Sequence, residues 1–510
     1  METDKIMSSY RQNLGSIQKL VDVVLQREDE NSILKVLSST ASAYLDDIEM
    51  LNGEAHYVGG VVFNCLYVDN LGKNHVLSDK VDINDRFENP VLNPLMKPIC
   101  KIEVVEIKTE ILDDDRVRLT ASIEITFDMV TTDEIDQIKA DSDAIKVLKE
   151  TIRQYSLVAS GDKTFNINET YDTKSKIERV LFTTAHTVLK NVSSGTGYFT
   201  VEGDVFVNSL LEVSTEDGTE LKNFMQTLPF KEELEDEYIQ KDDIIYAFSY
   251  TRPQDISVEI ANVDENETAN TLNVNLTVTT KYIALRMTEQ EIYTDVFSTT
   301  NKANLVTDSF ALTKNTHRDN FKTTIEGQTT IDEDEPRIAK ICAVTGEHIT
   351  LANTGVIDGE LTVEGIVYAS VVYLTDDDVP VKNSVELEIP FSNKFDTGVL
   401  NNEGLFVTAH IVDIEVKARK GKEINATVDV VFTVDGYETE NQVCVKEIEL
   451  TEELLPRDYS LAIYMAPKGS SLWDVSKHLL VGEEELLAQN PDVVFPLEEQ
   501  QSIVYFKQRV

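Results

Sequence analysis

Histidines, cysteines and clustered carboxylates are the side chains through which a chain could move protons, attack a carbonyl or hold a metal. The seven histidines, His56, His75, His186, His317, His348, His410 and His478, are scattered along the chain. None sits in H-E-x-x-H, the helical spacing that aims two imidazoles at one zinc ion. No G-x-x-x-x-G-K-[ST] loop is present to cradle a phosphate, and no G-x-S-x-G elbow to present a serine. Acidic residues number 91, so pairing any two as acid and base would be arbitrary. Cys65, Cys100, Cys342 and Cys444 are far apart, without a C-x-x-C, and read as small reduced residues. Asp113-Asp114-Asp115 and Asp376-Asp377-Asp378 lack the alternating ligands, central glycine and late glutamate of a calcium loop. They read as solvated turns, as does Glu216-Asp217-Gly218-Thr219, where Asp-Gly tolerates a tight hairpin. The expectation is a chain that is not an enzyme and needs no metal or cofactor.

What positions these residues is a long, acidic, well-stocked chain. Its 510 residues carry a net charge of −45, with 41% hydrophobic content. That is enough for three or four packed domains and separates the chain from acidic disordered sequences. A surface this negative disfavours nucleic acid and anionic membrane as direct partners. No apolar run is long enough to span a bilayer, and Met1–Gln12 lacks a signal pattern, so a cytosolic protein is expected.

Self-similarity is the most informative pattern. Tyr57-Val58-Gly59-Gly60-Val61-Val62-Phe63, Thr200-Val201-Glu202-Gly203-Asp204-Val205-Phe206 and Thr362-Val363-Glu364-Gly365-Ile366-Val367-Tyr368 share one form, with Gly60, Gly203 and Gly365 aligned. Apolar blocks begin about 26 residues before each glycine, at Ile33, Ile177 and Ile338. Others follow it, at Val81–Ile83, Leu228–Phe230 and Ile389–Phe391. Strand pairs come next: Ile102–Leu112 with Val117–Phe127, Ile256–Val263 with Leu272–Ile283, and Phe406–Val416 with Ile424–Val434. Period-two alternation marks Phe199–Val213 and Leu361–Tyr373 as half-buried strands. The three glycines fall on the apolar face, where a bulge or a close backbone approach needs them, so they are read as structural.

The fold class is therefore mainly β: three tandem β-rich domains of antiparallel sandwich or barrel type with minor helices, and a small C-terminal βααβ module. Leu14, Ile17, Val21 and Val24 recur at three to four residues and predict an amphipathic helix in a segment 1–32. Ile135, Ile138, Ile145, Leu148 and Ile152 predict another. Repeat domains are drawn at 33–160, 161–330 and 331–450, the last after the charged stretch Ile331–Pro336. The C-terminal module takes 456–510. In it Leu461–Met465 reads as a strand, Ser470–Lys477 and Val481–Gln489 as helices, and Ser502–Phe506 as the closing strand.

Tyr464, Lys468-Gly469, Leu472-Trp473, Val475-Ser476, Glu485-Leu486-Leu487 and Asn490-Pro491, in this order, resemble a LysM domain over residues 459–510. Gly469-Ser470-Ser471 stands where that family has Gly-Asp-Thr, and Glu498–Gln501 where it has a glycine near the last strand. The resemblance implies a binding groove between two loops, for an N-acetylglucosamine glycan or for a protein. Its residues would be Lys468, Gly469, Ser470, Ser471, Leu472, Asn490, Pro491 and Asp492. Trp473, the only tryptophan, reads as core more than contact. Three β-rich repeats with the Thr-Val-Glu-Gly-Asp-Val-Phe and Leu-Pro-Phe blocks, followed by one LysM, resemble the SipL-like family of clostridial spore-coat morphogenetic proteins. That family carries tandem SPOCS domains and is a functional counterpart of SpoVID. The resemblance implies an adaptor in the mother-cell cytoplasm, at the forespore surface and spore coat. It also implies binding of the coat-basement ATPase SpoIVA through LysM. The alternative function is a peptidoglycan anchor acting through the same module. Within 459–510 the net charge is only −3, so a specific contact is expected there.

Overall fold

β-branched and aromatic side chains alternating with polar ones favour the pleated strand, where one face is buried and the other is wet. Leu361, Val363, Val367, Ala369, Val371 and Tyr373 show it directly: all are 1% exposed or less. The computed structural model describes the chain except residues 1–2, 28–31, 114–115, 140–141, 217, 262–269, 399–401, 403, 420, 456–459 and 507–510. Among the described residues there are two α-helices, both near the C-terminus, and all sheets are antiparallel.

The first unit contains β1 (Thr3–Gln26), β2 (Ile33–Met50), β3 (Glu54–Asp69), β4 (Asn74–Glu88), β5 (Lys97–Pro98), β6 (Lys101–Asp113) and β7 (Arg116–Ile138). The second contains β8 (Ile145–Asp172), β9 (Ile177–Ser194), β10 (Tyr198–Thr215), β11 (Gly218–Glu235), β12 (Ile244–Tyr250), β13 (Ile256–Ile260) and β14 (Thr271–Ser298). The third contains β15 (Asn301–Thr330), β16 (Ile338–Ile357), β17 (Glu360–Thr375), β18 (Lys382–Asp396), β19 (Phe406–Arg419) and β20 (Glu423–Leu454). Each unit builds two sheets. One is a meander, β2-β3-β4, β9-β10-β11 or β16-β17-β18. The other centres on the last strand, which pairs with the first strand on one side and with β6, β13 or β19 on the other. The sheets face each other over one apolar core per unit. Their edges lie side by side, β2 by β6 and β4 by β1, with the same neighbours in the other two units. This protects strand edges that would otherwise invite aggregation.

The two helices predicted outside the C-terminal module are strands. In β1, Val23 and Leu25 are buried while Val24 is 41% and Leu20 71% exposed, a period of two. Pairing of all but two residues of β1 with β7 supplies hydrogen bonds and burial that override a weak helical spacing. Ile135 and Ile138 belong to β7, whereas Ile145, Leu148 and Ile152 belong to β8 of the next unit. The helix-like spacing joins two separate strands across a turn. Strand pairing also draws the units differently from sequence: residue 32 falls between two strands of one unit, and residue 160 falls inside β8.

The aligned glycines sit at close approaches. A Cβ on Gly203 would lie 2.2 Å from the Val188 carbonyl oxygen, and one on Gly365 2.4 Å from that of Thr350. Phe230 and Phe391 cover the two glycines from the opposite strand. In the first unit the backbone collision moves to Gly59, 2.1 Å from the Tyr44 oxygen, while Gly60 faces the Tyr44 hydroxyl. Gly365→Ala is expected to cost about 1–3 kcal/mol, as overpacking does. A lowered urea midpoint would read this out; an unchanged midpoint would mean the strand pair yields freely.

The last and first strands of each unit outrun their sandwich. β1 with the end of β7, β8 with the end of β14, and β15 with the end of β20 form three ribbons. These pack into one six-stranded column, with Ile6, Ile135, Ile152, Ile292, Phe310 and Leu312 inside. Ser8 Oγ donates to the Ala311 carbonyl at 2.8 Å, and Ser9 Oγ accepts from the Leu157 N–H at 3.0 Å, so all three units are tied together. Leu37, Leu66, Leu210, Leu221, Ala343 and Val372 make a second shared cluster among the meanders. All four cysteines are free, with Cys65 and Cys444 buried. Asp114, Asp115 and Asp217 lie outside the described residues, while Asp376–Asp378 are exposed between β17 and β18.

Candidate docking module and central cavity

After β20 the chain forms β21 (Leu461–Ala466), α1 (Leu472–Leu479), α2 (Glu483–Gln489) and β22 (Gln501–Phe506), the expected βααβ order. α1 starts where a hydroxyl can satisfy its free N–H groups. Ser471 is the N-cap: its Oγ accepts from the Asp474 N–H at 3.1 Å, and the Asp474 carboxylate accepts from the Ser471 N–H at 2.9 Å. Val475, Leu479, Leu486, Leu497, Ile503 and Tyr505 form the core between the helices and one face of the β21–β22 sheet.

The eight loop residues divide on inspection. Lys468, Gly469, Pro491 and Asp492 are exposed. Gly469 has φ +85°, a left-handed turn conformation that favours glycine. Ser470, Ser471 and Leu472 are half-buried, with Leu472 packed on the core. Asn490 is buried: its amide donates to the Leu486 and Val504 carbonyls at 2.9 and 2.7 Å and accepts from the Val504 N–H at 3.0 Å. It welds α2 to β22 and offers nothing to a ligand. The two loops meet through Leu497, whose carbonyl accepts from the Gly469 N–H at 2.8 Å.

Trp473 is buried, but outside the module's own core. Its ring lies 5.0 Å from that of Phe297, and its Nε1–H donates to the Asp295 carboxylate at 2.8 Å. Lys477 Nζ donates to the same carboxylate at 2.6 Å. Burial disfavours the charged Asp295, but the hydrogen bonds from Lys477 and Trp473 prevail and hold its pKa below the usual carboxylate range. α1 thus docks the module onto the end of β14.

The opposite face of the small sheet is uncovered. Leu461, Ile463, Met465 and Phe506 are 45%, 63%, 51% and 55% exposed, and Leu461 lies directly opposite Phe506. Neither strand of this two-stranded sheet has a further partner among the described residues. A continuous apolar face with open edges is the kind of surface that proteins use to bind one another. Sequence reading missed it because a 52-residue module has too short a pattern to separate the two faces of its strands.

The fold also gathers histidines that the sequence scatters. His186, His348 and His410 line one central cavity of about 230 Å³, whose wall is built by all three units. Lys101, Glu103 and Glu347 line it too. No sequence signal pointed there, because these residues come from β6, β9, β16 and β19 of three units. Among the described residues there is no cluster of three or more histidine, cysteine or acidic side chains arranged to hold a metal ion.

Residues 337–419, spanning β16 to β19, match the protein family described as SipL, SPOCS domain. The third unit therefore carries a SPOCS domain, and the chain is SipL-like and sporulation-related. The matched stretch leaves out the long strands β15 and β20 that close the unit. No curated protein and no solved structure matches the chain.

Proposed function

We propose that the chain is a non-enzymatic adaptor of spore-coat assembly, acting from the mother-cell cytoplasm at the forespore surface. In this reading the C-terminal module is a LysM domain that binds a SpoIVA-like coat-basement ATPase. The first two units are further SPOCS domains, and the three together recruit or bridge other coat proteins. The SPOCS match supplies the sporulation setting. The uncovered apolar face at Leu461, Ile463, Met465 and Phe506 carries the partner-binding half of the reading. Such a face is stabilised when a partner removes it from water, each of these half-exposed side chains contributing about half of the roughly 1.5–3 kcal/mol of full burial. Several modules on one chain raise the local concentration of whatever each holds.

The test is the pair Ile463→Ser with Phe506→Ser in the full chain, assayed against the purified ATPase. Both side chains are exposed, so the module should stay folded. The ATPase affinity should fall by about 10- to 100-fold, in keeping with two lost apolar contacts. The exposed loop residues Lys468, Gly469, Pro491 and Asp492 leave room for the second reading, a peptidoglycan anchor. Retention on purified peptidoglycan without retention of the ATPase would overturn the adaptor reading.

A further inference from the structure

Lys101 comes from β6 of the first unit, His186 from β9 of the second and His410 from β19 of the third, and all three line the central cavity. We propose that this cavity binds a small ligand through an oxyanion group, a phosphate or a carboxylate, held by Lys101, His186 and His410. A volume of about 230 Å³ falls just below the ~300–1,000 Å³ of small-molecule pockets and suits a ligand of phosphate or dicarboxylate size.

Three basic groups converging on one cavity of a chain with net charge −45 is the first support. The His186 and His410 rings face each other with centroids 5.7 Å apart, and neither has a hydrogen-bond partner among the described residues. The fold does not need imidazole there. His186 lies opposite Phe206, and His348 opposite Tyr368, each three residues past the aligned glycine. In the first unit the equivalent strand partner of Phe63 is Ala41.

The carboxylates facing the cavity are already engaged. Glu103 pairs with Lys101, and an ammonium has further donors to offer. Glu347 accepts from the Asn208 amide, and burial raises its pKa. Of the other groups, His348 Nδ1 is 3.0 Å from the Gly346 carbonyl oxygen, Lys281 Nζ donates to the Asp46 carbonyl, and the Tyr250 hydroxyl to the Leu45 carbonyl. Burial lowers the pKa of His186, and burial, His186 and Lys101 lower that of His410. Without a counter-charge the two imidazoles are held neutral, and their stabilising contribution is lost as pH falls below about 6.5, the unfolded-state value. An oxyanion reverses this by favouring the protonated rings, so binding takes up protons and tightens on acidification.

The full chain would be titrated separately with inorganic phosphate and succinate, using sodium chloride as the ionic-strength control. Thermal midpoints and histidine ring NMR signals would be followed at about pH 6 and about pH 7.5. At least one oxyanion should raise the midpoint and shift the His186 and His410 signals, more at the lower pH, and comparison of the two identifies the preferred group. His186→Asn with His410→Asn should weaken binding about tenfold or more, whereas His317→Asn, outside the cavity, should not. Lys101→Met should weaken binding likewise, and the asparagine pair, which preserves polarity, keeps the test decisive should that variant fail to fold. Absence of shifts with both oxyanions, equal shifts with chloride, or full binding by the double variant would overturn the proposal.

Discussion

Arg11→Ala is expected to destabilise the three-unit body by about 3–5 kcal/mol, the cost of stranding a buried charge. Arg11 and Asp128 are 4% and 2% exposed, joined by Nη2–Oδ2 at 2.5 Å and Nε–Oδ2 at 2.7 Å. The guanidinium also lies 5.2 Å from the ring centroids of Tyr246 in the second unit and Tyr437 in the third. One side chain of the first unit therefore touches both others. Removing it leaves the Asp128 carboxylate alone, and its Oδ1 already has no hydrogen-bond partner. Arg318 is already engaged by Asp435, at 2.6 and 3.1 Å, and does not fill the gap. Chemical denaturation should begin earlier and lose cooperativity between units. The double variant Arg11→Met with Asp128→Leu should recover much of the loss, because a buried ion pair replaced by apolar groups is often near neutral. Equal stability of Arg11→Ala and wild type would show that the pair does not join the units.

Trp473→Ala is expected to release the C-terminal module from the column while leaving it folded. Truncating a buried tryptophan typically costs about 3–5 kcal/mol, and here that cost falls on the docking contact with Asp295 and Phe297. The module's own core, from Ala466 to Tyr505, does not include Trp473. Small-angle scattering should report a larger radius of gyration, and protease should cleave between β20 and β21. Amide exchange within α1 and α2 should stay protected. Lost protection there would instead make Trp473 part of the module's fold.

Strand identity was legible wherever a strand has one wet face and one dry face, as Leu361–Tyr373 does. The glycines were legible too, because a missing side chain on an apolar face of a β-rich segment has few explanations. β1 and β8 were misread for a physical reason. In β1 a register shift between Asn13 and Ser16 and an apolar Val24 on the wet face blur the period of two, and the second false helix ran the end of β7 into the start of β8. The column was invisible because its core draws Ile6, Ile152 and Phe310 from three units far apart in sequence. In the module, the order of elements and the Ser471 cap were legible. Burial of Asn490 was not: a polar side chain before proline reads as a loop ligand until its backbone partners in β22 are seen.

The pairing of first strand with last also has a temporal side. Thr3 pairs with Ile138, Ile145 with Ser298, and Asn301 with Leu454, so each unit closes only when its final residue has left the ribosome. At ~5–20 residues per second that is a wait of roughly 7–30 s per unit. For most of it a strand of 24, 28 or 30 residues lacks the strand it pairs with. Contacts this distant in sequence make for slow folding. The charged residues that interrupt these strands, among them Lys5, Asp22, Lys163 and Lys322, then guard a nascent edge against its neighbours on the polysome.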